Sequence, residues 1–392
     1  MAHGGHWVVR VPTGPVHTVV FARHTLEGEL VRLRITEVRP RFCRGEVIEV
    51  VEASPLRRPA PCPIAARCGG CDFQHVGPAH SRELKRQVVT ELLQHSAGVN
   101  FSGEVEAVQP DEFGWRTRMR FLTDAQGLVG LRAHRSNDLV PLPAEGCRIA
   151  NPAISRPRPT GVTGGVEVVA AAASSGSITG PADELPDSVT EHVGERDFDV
   201  SPAGFWQSHT AAPDTLTHAV RQALAPRSGE AAFDLFCGVG LFAATLLDAG
   251  CRVWGIEGDA RAVAFARRNV PGARFSVGDV ARALRRLPAR TDLVVLDPPR
   301  SGAGAQVMRA IASRRPRAIA YVACDPASLA RDLSTAAAFG YATTSVRAFD
   351  LFPMTHHVEC LALLEPDGAA RVVQIPPLEG EDGSPPAASV KP

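Results

Sequence analysis

The junction Asp234-Leu235-Phe236-Cys237-Gly238-Val239-Gly240 constrains this chain more than any other stretch. An apolar strand ends there, glycines turn the backbone, and an apolar helix begins near Leu241. Glycine lets the backbone approach a ligand closely, and a helix start offers unpaired N–H groups. From about residue 197 the strand-then-helix alternation repeats. The apolar runs predict strands at 231–236, 252–256, 273–276, 292–296, 318–323 and 359–364. Helices are expected at 210–225, 240–249, 259–268, 303–313 and 327–338. Such alternation predicts a doubly wound, mostly parallel α/β sheet.

The chain before this region reads differently. Short strands are expected at 18–22, 30–35 and 45–51, punctuated by Gly and Pro, which predicts a small β-barrel over 1–58. Pro55, Pro59, Pro61 and Pro63 make a linker. A helix is expected at 78–96, with Leu84, Val88, Leu92 and Leu93 on one face. Residues 101–195 read as β-rich, with turns near 159–165 and 173–187. The organisation is thus a barrel (1–58), a central β-rich unit (59–195), an α/β unit (196–365) and a tail expected to be disordered (366–392).

Bulk properties exclude several classes. The formal net charge is zero, so a polybasic nucleic-acid coat is absent. Of 42 basic residues only Lys85 and Lys391 are lysine. Genomic base composition accounts for that bias, although arginine's planar fork also suits phosphates and stacked bases. No run of eighteen apolar residues exists, so no membrane span is expected. The start has no basic region followed by an apolar one, and a cytoplasmic location follows as the default. Nine cysteines in such a chain are expected to be reduced or metal-bound rather than paired.

The chemistry lies in the motifs. After the glycine turn comes Gly255-Ile256-Glu257, an acid at a strand end that can hold ribose hydroxyls, and then Gly278-Asp279, which could face an adenine. GxGxxG is absent, so this order fits S-adenosylmethionine better than a dinucleotide. Asp297-Pro298-Pro299-Arg300 leaves the fourth strand on a stiff loop, making Asp297 a candidate contact to cofactor or substrate. Cys324 follows the strand 318–323 and precedes Asp325-Pro326, an N-cap and first-turn proline. A helix start there is expected to lower the thiol pKa. Read alone, Cys324 is more often a packing cysteine. Glu359, at the mouth of the last strand, can reach a substrate over the sheet. A thiol, a carboxylate and a methyl-donor site suit methyl transfer to carbon 5 of a pyrimidine. Uracil C5 is too weak a nucleophile unaided, so a thiolate must add to C6 and a base must later remove the C5 proton. His356 and His357 stand nearby with no assigned role.

Cys62, Cys68 and Cys71 stand in C-x5-C-G-G-C, and Cys147 is the best candidate for a fourth ligand. Four thiolates suit zinc or a [4Fe–4S] cluster equally. Cys43, Cys237, Cys251 and Cys360 read as packing cysteines.

Together these motifs resemble the uracil-5 methyltransferase family that makes 5-methyluridine in tRNA and ribosomal RNA. The resemblance runs over about residues 1–365. It implies a class I, Rossmann-like methyltransferase domain, an OB-like TRAM barrel that binds RNA, and a [4Fe–4S] cluster on Cys62, Cys68, Cys71 and Cys147. Phe205-Trp206-Gln207 resembles the family's aromatic-glutamine motif, which places Gln207 on the cofactor with Phe236, Glu257, Asp279 and Asp297. Cys324 matches the nucleophile and Glu359 the base. The expected partner is RNA, with no obligate protein partner and a monomeric state. Three departures stand out. Leu241 occupies a position where asparagine is frequent, and Met354 one where histidine is frequent. Ala2-His3-Gly4-Gly5 resembles the interior of the usual first hairpin, so a first strand is expected to be missing, through an upstream start codon or an incomplete barrel. Leu241 and the short barrel motivate a rival reading, a non-catalytic RNA-binding protein that keeps the fold. A cytosine C5-methyltransferase would usually carry a second cysteine in a Pro-Cys motif; Pro61-Cys62 belongs instead to the cysteine loop.

Overall fold

The computed structural model describes residues 1–13, 16–159, 162 and 164–368. Its largest element is an eight-stranded sheet. The strand order is Arg274–Val277, Arg252–Glu257, Ala231–Leu235, Leu293–Leu296, Ala318–Ala323, Glu359–Pro366, Tyr341–Asp350 and Val105–Ala107. The first five strands run parallel, whereas Glu359–Pro366 is antiparallel to both of its neighbours. Alternate side chains enter opposite faces of the sheet. Ala318, Ala320 and Val322 pack with Leu216, Val220, Leu241 and Val263 on one side. Ile319, Tyr321 and Ala323 pack with Leu93, Ile311, Leu329 and Leu333 on the other. Covered on both faces, these strands must be apolar throughout, which explains their unbroken hydrophobic runs.

The predicted strands of residues 231–364 all form, and the five predicted helices form as Ala212–Leu224, Leu241–Asp248, Ala260–Asn269, Ala305–Ala312 and Pro326–Ala338. Two strands of this sheet were not expected. Tyr341–Asp350 carries Thr343, Thr344 and Ser345 and a register shift, which blurs its alternation. Val105–Ala107, only three residues long, joins the sheet edge from the stretch read as the central unit. The helix Pro78–Ala97 also packs on this sheet, with Val89 and Leu93 in its core.

One residue of that helix departs from the expected apolar face. Lys85 is fully buried, and its Nζ donates to Asp350 Oδ1 at 2.6 Å and to the Phe352 carbonyl at 3.1 Å. A buried charge needs such partners. The pair ties the helix to the start of the loop that leads into Glu359.

The amino-terminal sheet has the order Trp7–Thr13, Val16–Arg23, Cys43–Glu52, Leu30–Val38. The strand Trp7–Thr13 was not foreseen. Before it, Ala2 and His6 form a bridge, His3 pairs with Asp325, and Gly5 packs against His356. A five-stranded antiparallel sheet (Gly176–Pro181, Glu167–Ala173, Arg118–Thr123, Val129–Arg132, Leu139–Pro141) and the hairpin Val189–Val193/Arg196–Val200 follow the cysteine loop. Gly176–Pro181 thus replaces part of the turn stretch expected at 173–187. The expected disordered tail lies, from residue 369 on, outside the described residues. Among the described residues no helix is long and apolar enough to cross a membrane.

Candidate active site

Loops leaving the carboxyl ends of parallel strands line the ligand crevice of such a sheet. Here they surround a cavity of about 1350 Å³. Gln207, Phe236, Glu257, Asp279, Asp297, Cys324 and Glu359 all line it.

At one end stands the glycine turn. Gly240, at φ 93°, caps the helix Leu241–Asp248, and a Cβ there would sit 3.0 Å from Val270 Cγ2. Phe236 holds φ 61°, a costly conformation for a bulky residue that places it on the cavity wall. The Glu257 carboxylate accepts the Gly238 N–H at 3.0 Å and the Asp259 N–H at 3.0 Å. It therefore ties the turn to the next strand end. Asp279 caps the short helix Val280–Ala283 by accepting the Arg282 N–H at 3.0 Å. Leu241 points away from the cavity into the apolar core, so the departure from asparagine leaves the core packed and exposes nothing to the site.

At the other end, strand register sets the geometry. Ala323 is the Cα partner of Cys360 in an antiparallel pair, so the next residues, Cys324 and Glu359, meet at the same sheet end. Asp325 caps the helix Pro326–Ala338 by accepting the Ser328 N–H at 2.8 Å, and it pairs with His3 Nε2 at 3.1 Å. Burial opposes ionisation of Asp325, but the His3 imidazole and the Ser328 hydrogen bond outweigh it and draw its pKa to about 2. Glu359 is 3% exposed, and its Oε1 has no hydrogen-bond partner. Burial, reinforced by Asp297, raises its pKa well above the usual carboxylate range. Asp297 is raised by burial to about 7 and accepts the Gln207 Nε2–H at 3.1 Å. Two adjacent buried acids resist ionising together.

The thiol differs from expectation. Burial pushes Cys324 up to about 12, and the Glu359 and Asp297 carboxylates push the same way. Arg300 opposes the rise. The free protein therefore holds a thiol at neutral pH. Peptide-resolved alkylation of Cys324 by iodoacetamide is expected to climb about tenfold per pH unit from about pH 7 to about pH 10, because only the thiolate reacts. A rate that levels off below about pH 9 would contradict this.

Some groups at this site were missed in the sequence. His3 and Arg300 line the same cavity. The spacing of His357 two residues before Glu359 was a usable signal for its place there. No sequence signal marked Arg116, which lines this cavity and an adjoining one of about 780 Å³.

Cys62, Cys68, Cys71 and Cys147 all face that second cavity, each 7–8% exposed. Arg23 donates from Nη2 to the Cys68 and Cys71 carbonyls, both at 2.9 Å. The Gly70 N–H lies 3.4 Å from Cys68 Sγ. Among the described residues no three His, Cys, Asp or Glu side chains are grouped as metal ligands are. The four cysteines thus line one cavity as free thiols, without the grouping of a ligand set.

Comparison with known proteins places this geometry. Residues 194–367 match the tRNA (uracil-5-)-methyltransferase family. An RNA methyltransferase of Streptomyces avermitilis is 41% identical over 425 aligned positions, covering 93% of this chain and 96% of that protein. One from Corynebacterium efficiens is 34% identical, covering 92% of each. The solved structure of Pyrococcus abyssi tRNA (uracil-54, C5)-methyltransferase in complex with S-adenosyl-L-homocysteine shares the fold. Its TM-score is 0.68 at 22% identity, covering 89% of this chain and 96% of that one. The chain belongs to a family of RNA methyltransferases, and its residues 194–367 match the model of the tRNA (uracil-5-)-methyltransferases.

Proposed function

We propose that this enzyme methylates carbon 5 of uridine in tRNA or ribosomal RNA, using S-adenosylmethionine and a covalent bond from Cys324. The observation that carries the reading is the meeting of Cys324 and Glu359 at adjacent strand ends, in the cavity that also holds the glycine turn. The family match to uracil-5 methyltransferases supports it.

The target uridine must leave its stack to expose C5 and C6. Cys324 Sγ, once deprotonated, bonds to C6, and the electron pair of the C5–C6 double bond moves toward C5 and the O4 carbonyl. Bound S-adenosylmethionine supplies the electrophilic methyl group that C5 takes. Glu359, acting in its carboxylate form, then accepts the C5 proton, the C5–C6 double bond returns, and the S–C6 bond breaks to release the thiolate. A carboxyl raised by burial has the proton affinity this step needs. Gln207, Phe236, Glu257, Asp279 and Asp297 are the proposed cofactor contacts. Asp297, which accepts from Gln207, also raises the proton affinity of Glu359.

The amino-terminal sheet, TRAM-like by sequence resemblance, is the proposed RNA-binding module. Phe21 and Arg44 bring it to the cavity wall, with the Arg44 guanidinium over the Phe21 and Phe42 rings. The cavity lined by Cys62, Cys68, Cys71 and Cys147 is a proposed [4Fe–4S] site. Four soft donors, the buried Arg23 and the half-buried Arg116 suit an anionic cluster. Anaerobically purified protein is expected to contain iron and acid-labile sulfide; protein that is folded and lacks both would remove the cluster. The function itself is tested by incubating the enzyme with S-adenosylmethionine and RNA from cells lacking this chain. New 5-methyluridine is expected, and its absence from every RNA would refute the reading.

A further inference from the structure

The loop that carries Glu359 is braced from two sides. Asp72 Oδ2, next to Cys71, accepts the His356 N–H at 3.0 Å and faces His356 Nδ1 at 2.6 Å. The Asp72 and Phe73 N–H groups both donate to the Met354 carbonyl, at 2.8 and 3.0 Å. Met354 is fully buried and holds φ 66°, so the chain is locked where it turns toward the site. Gly5 packs against the same loop, since a Cβ there would lie 2.9 Å from His356 Cβ. The His356 ring in turn lies 4.0 Å, centroid to centroid, from the ring of His357. His357 Nε2 is 3.0 Å from Arg300 Nη2. A guanidinium only donates, so Nε2 is the acceptor and His357 is neutral with its proton on Nδ1. Its depressed pKa agrees: burial, His356 and Arg300 bring it to about 3.

Arg300 is the cation that acts on both Cys324 and Glu359. We propose that His357 is a positioning residue: its Nε2 fixes the Arg300 guanidinium beside the reactive thiol, and His356, held by Asp72, fixes His357. The side chain that faces Arg300 is thereby set by the cysteine loop, and the thiolate depends on a contact neither Cys324 nor Glu359 makes directly. The inference rests on the reading of Cys324 as nucleophile.

The test is the pH dependence of Cys324 alkylation, read on the Cys324 peptide. The charged or titratable groups that face the thiol are Glu359, Asp297, Arg300, Asp325 and Cys360; a change at position 357 replaces none of them, and of these it removes a hydrogen-bond partner only from Arg300. His357→Leu is expected to lower the alkylation rate at a given pH about tenfold, as loss of one well-placed cation should. His357→Gln, whose amide oxygen can accept from Arg300, is expected to stay within about threefold of the parent, because it restores the hydrogen bond. In an Arg300→Gln background, His357→Leu should add nothing, since coupled residues are not additive. In turnover, His357→Leu should lower kcat with little change in KM for RNA. An unchanged alkylation profile in His357→Leu overturns the proposal, and so does a full further loss in the Arg300→Gln background. Alkylation requires no RNA, so it can succeed where the methyl-transfer reading fails, and a missing RNA adduct in the parent counts against that reading alone.

Discussion

Cys324→Ala is expected to abolish methylation, with a loss of at least about 10⁴-fold in kcat/KM, because no other thiol lines the cavity to add to C6. Among the residues lining that cavity, Cys324 is the only cysteine. Asp297 and Glu359 are poor candidates to replace it, since both are buried acids that resist ionising. The loss should fall on kcat, with RNA binding preserved, because the phosphate backbone dominates affinity and Cys324 makes no charge contact to it. The substitution removes one half-buried sulfur at a strand end, so the fold should survive. Steady-state methylation of RNA by Cys324→Ala, beside a binding assay and a melting curve, measures all three. Activity within about tenfold of the parent would remove the thiol from the mechanism.

Glu359→Gln should behave differently. The thiol can still add to C6 and C5 can still take the methyl group, but proton removal from C5 stalls. A methylated RNA–protein adduct is therefore expected to accumulate, while turnover falls about 10²- to 10⁴-fold, the usual worth of a positioned base. Stability should move the other way. A carboxyl whose pKa is raised in the folded state costs stability once the pH exceeds its unfolded value, and the cost grows until the pH reaches the folded value. Glu359 is raised well above the ordinary range, so at neutral pH the parent carries this cost and the glutamine variant does not. The variant should melt no lower than the parent at pH 7, a trade of stability against activity expected at a reactive site. Denaturing gels of variant and RNA, with methyl-labelled cofactor, report the adduct. Full turnover would show that another group removes the proton.

Much of this site was legible because strand ends in an open α/β sheet converge. Once Ala231–Leu235, Leu293–Leu296, Ala318–Ala323 and Glu359–Pro366 could be recognised from their apolar runs, the residues that follow or begin them had to share one crevice. What the sequence hid lies between elements distant along the chain. Nothing near Lys85 in the sequence marked it as buried, yet Asp350, 265 residues on, pairs with it inside. The thiol pKa was expected to fall, because the helix start is local and visible. Burial and the two carboxylates arriving from other strands raise it instead. His356 and His357 looked like neighbours of Glu359 without a role. Their partners, Asp72 and Arg300, come from the cysteine loop and from the loop after the fourth strand of the α/β unit. Leu241 looked like a lost polar contact, but its side chain packs in the core. The strand Tyr341–Asp350 was missed because Thr343, Thr344 and Ser345 interrupt its apolar pattern near the sheet edge.

The most direct test of the mechanism uses RNA in which the target uridine carries fluorine at C5. A base can take a proton from C5 but not a fluorine, so the enzyme should stop after methyl transfer with the sulfur still bonded to C6. Digestion and mass spectrometry are expected to find the peptide carrying Cys324 linked to a 5-fluoro-5-methyl uridine derivative. Recovery of unlinked protein from a reaction that methylates ordinary RNA, or a linkage at any other residue, would contradict the account.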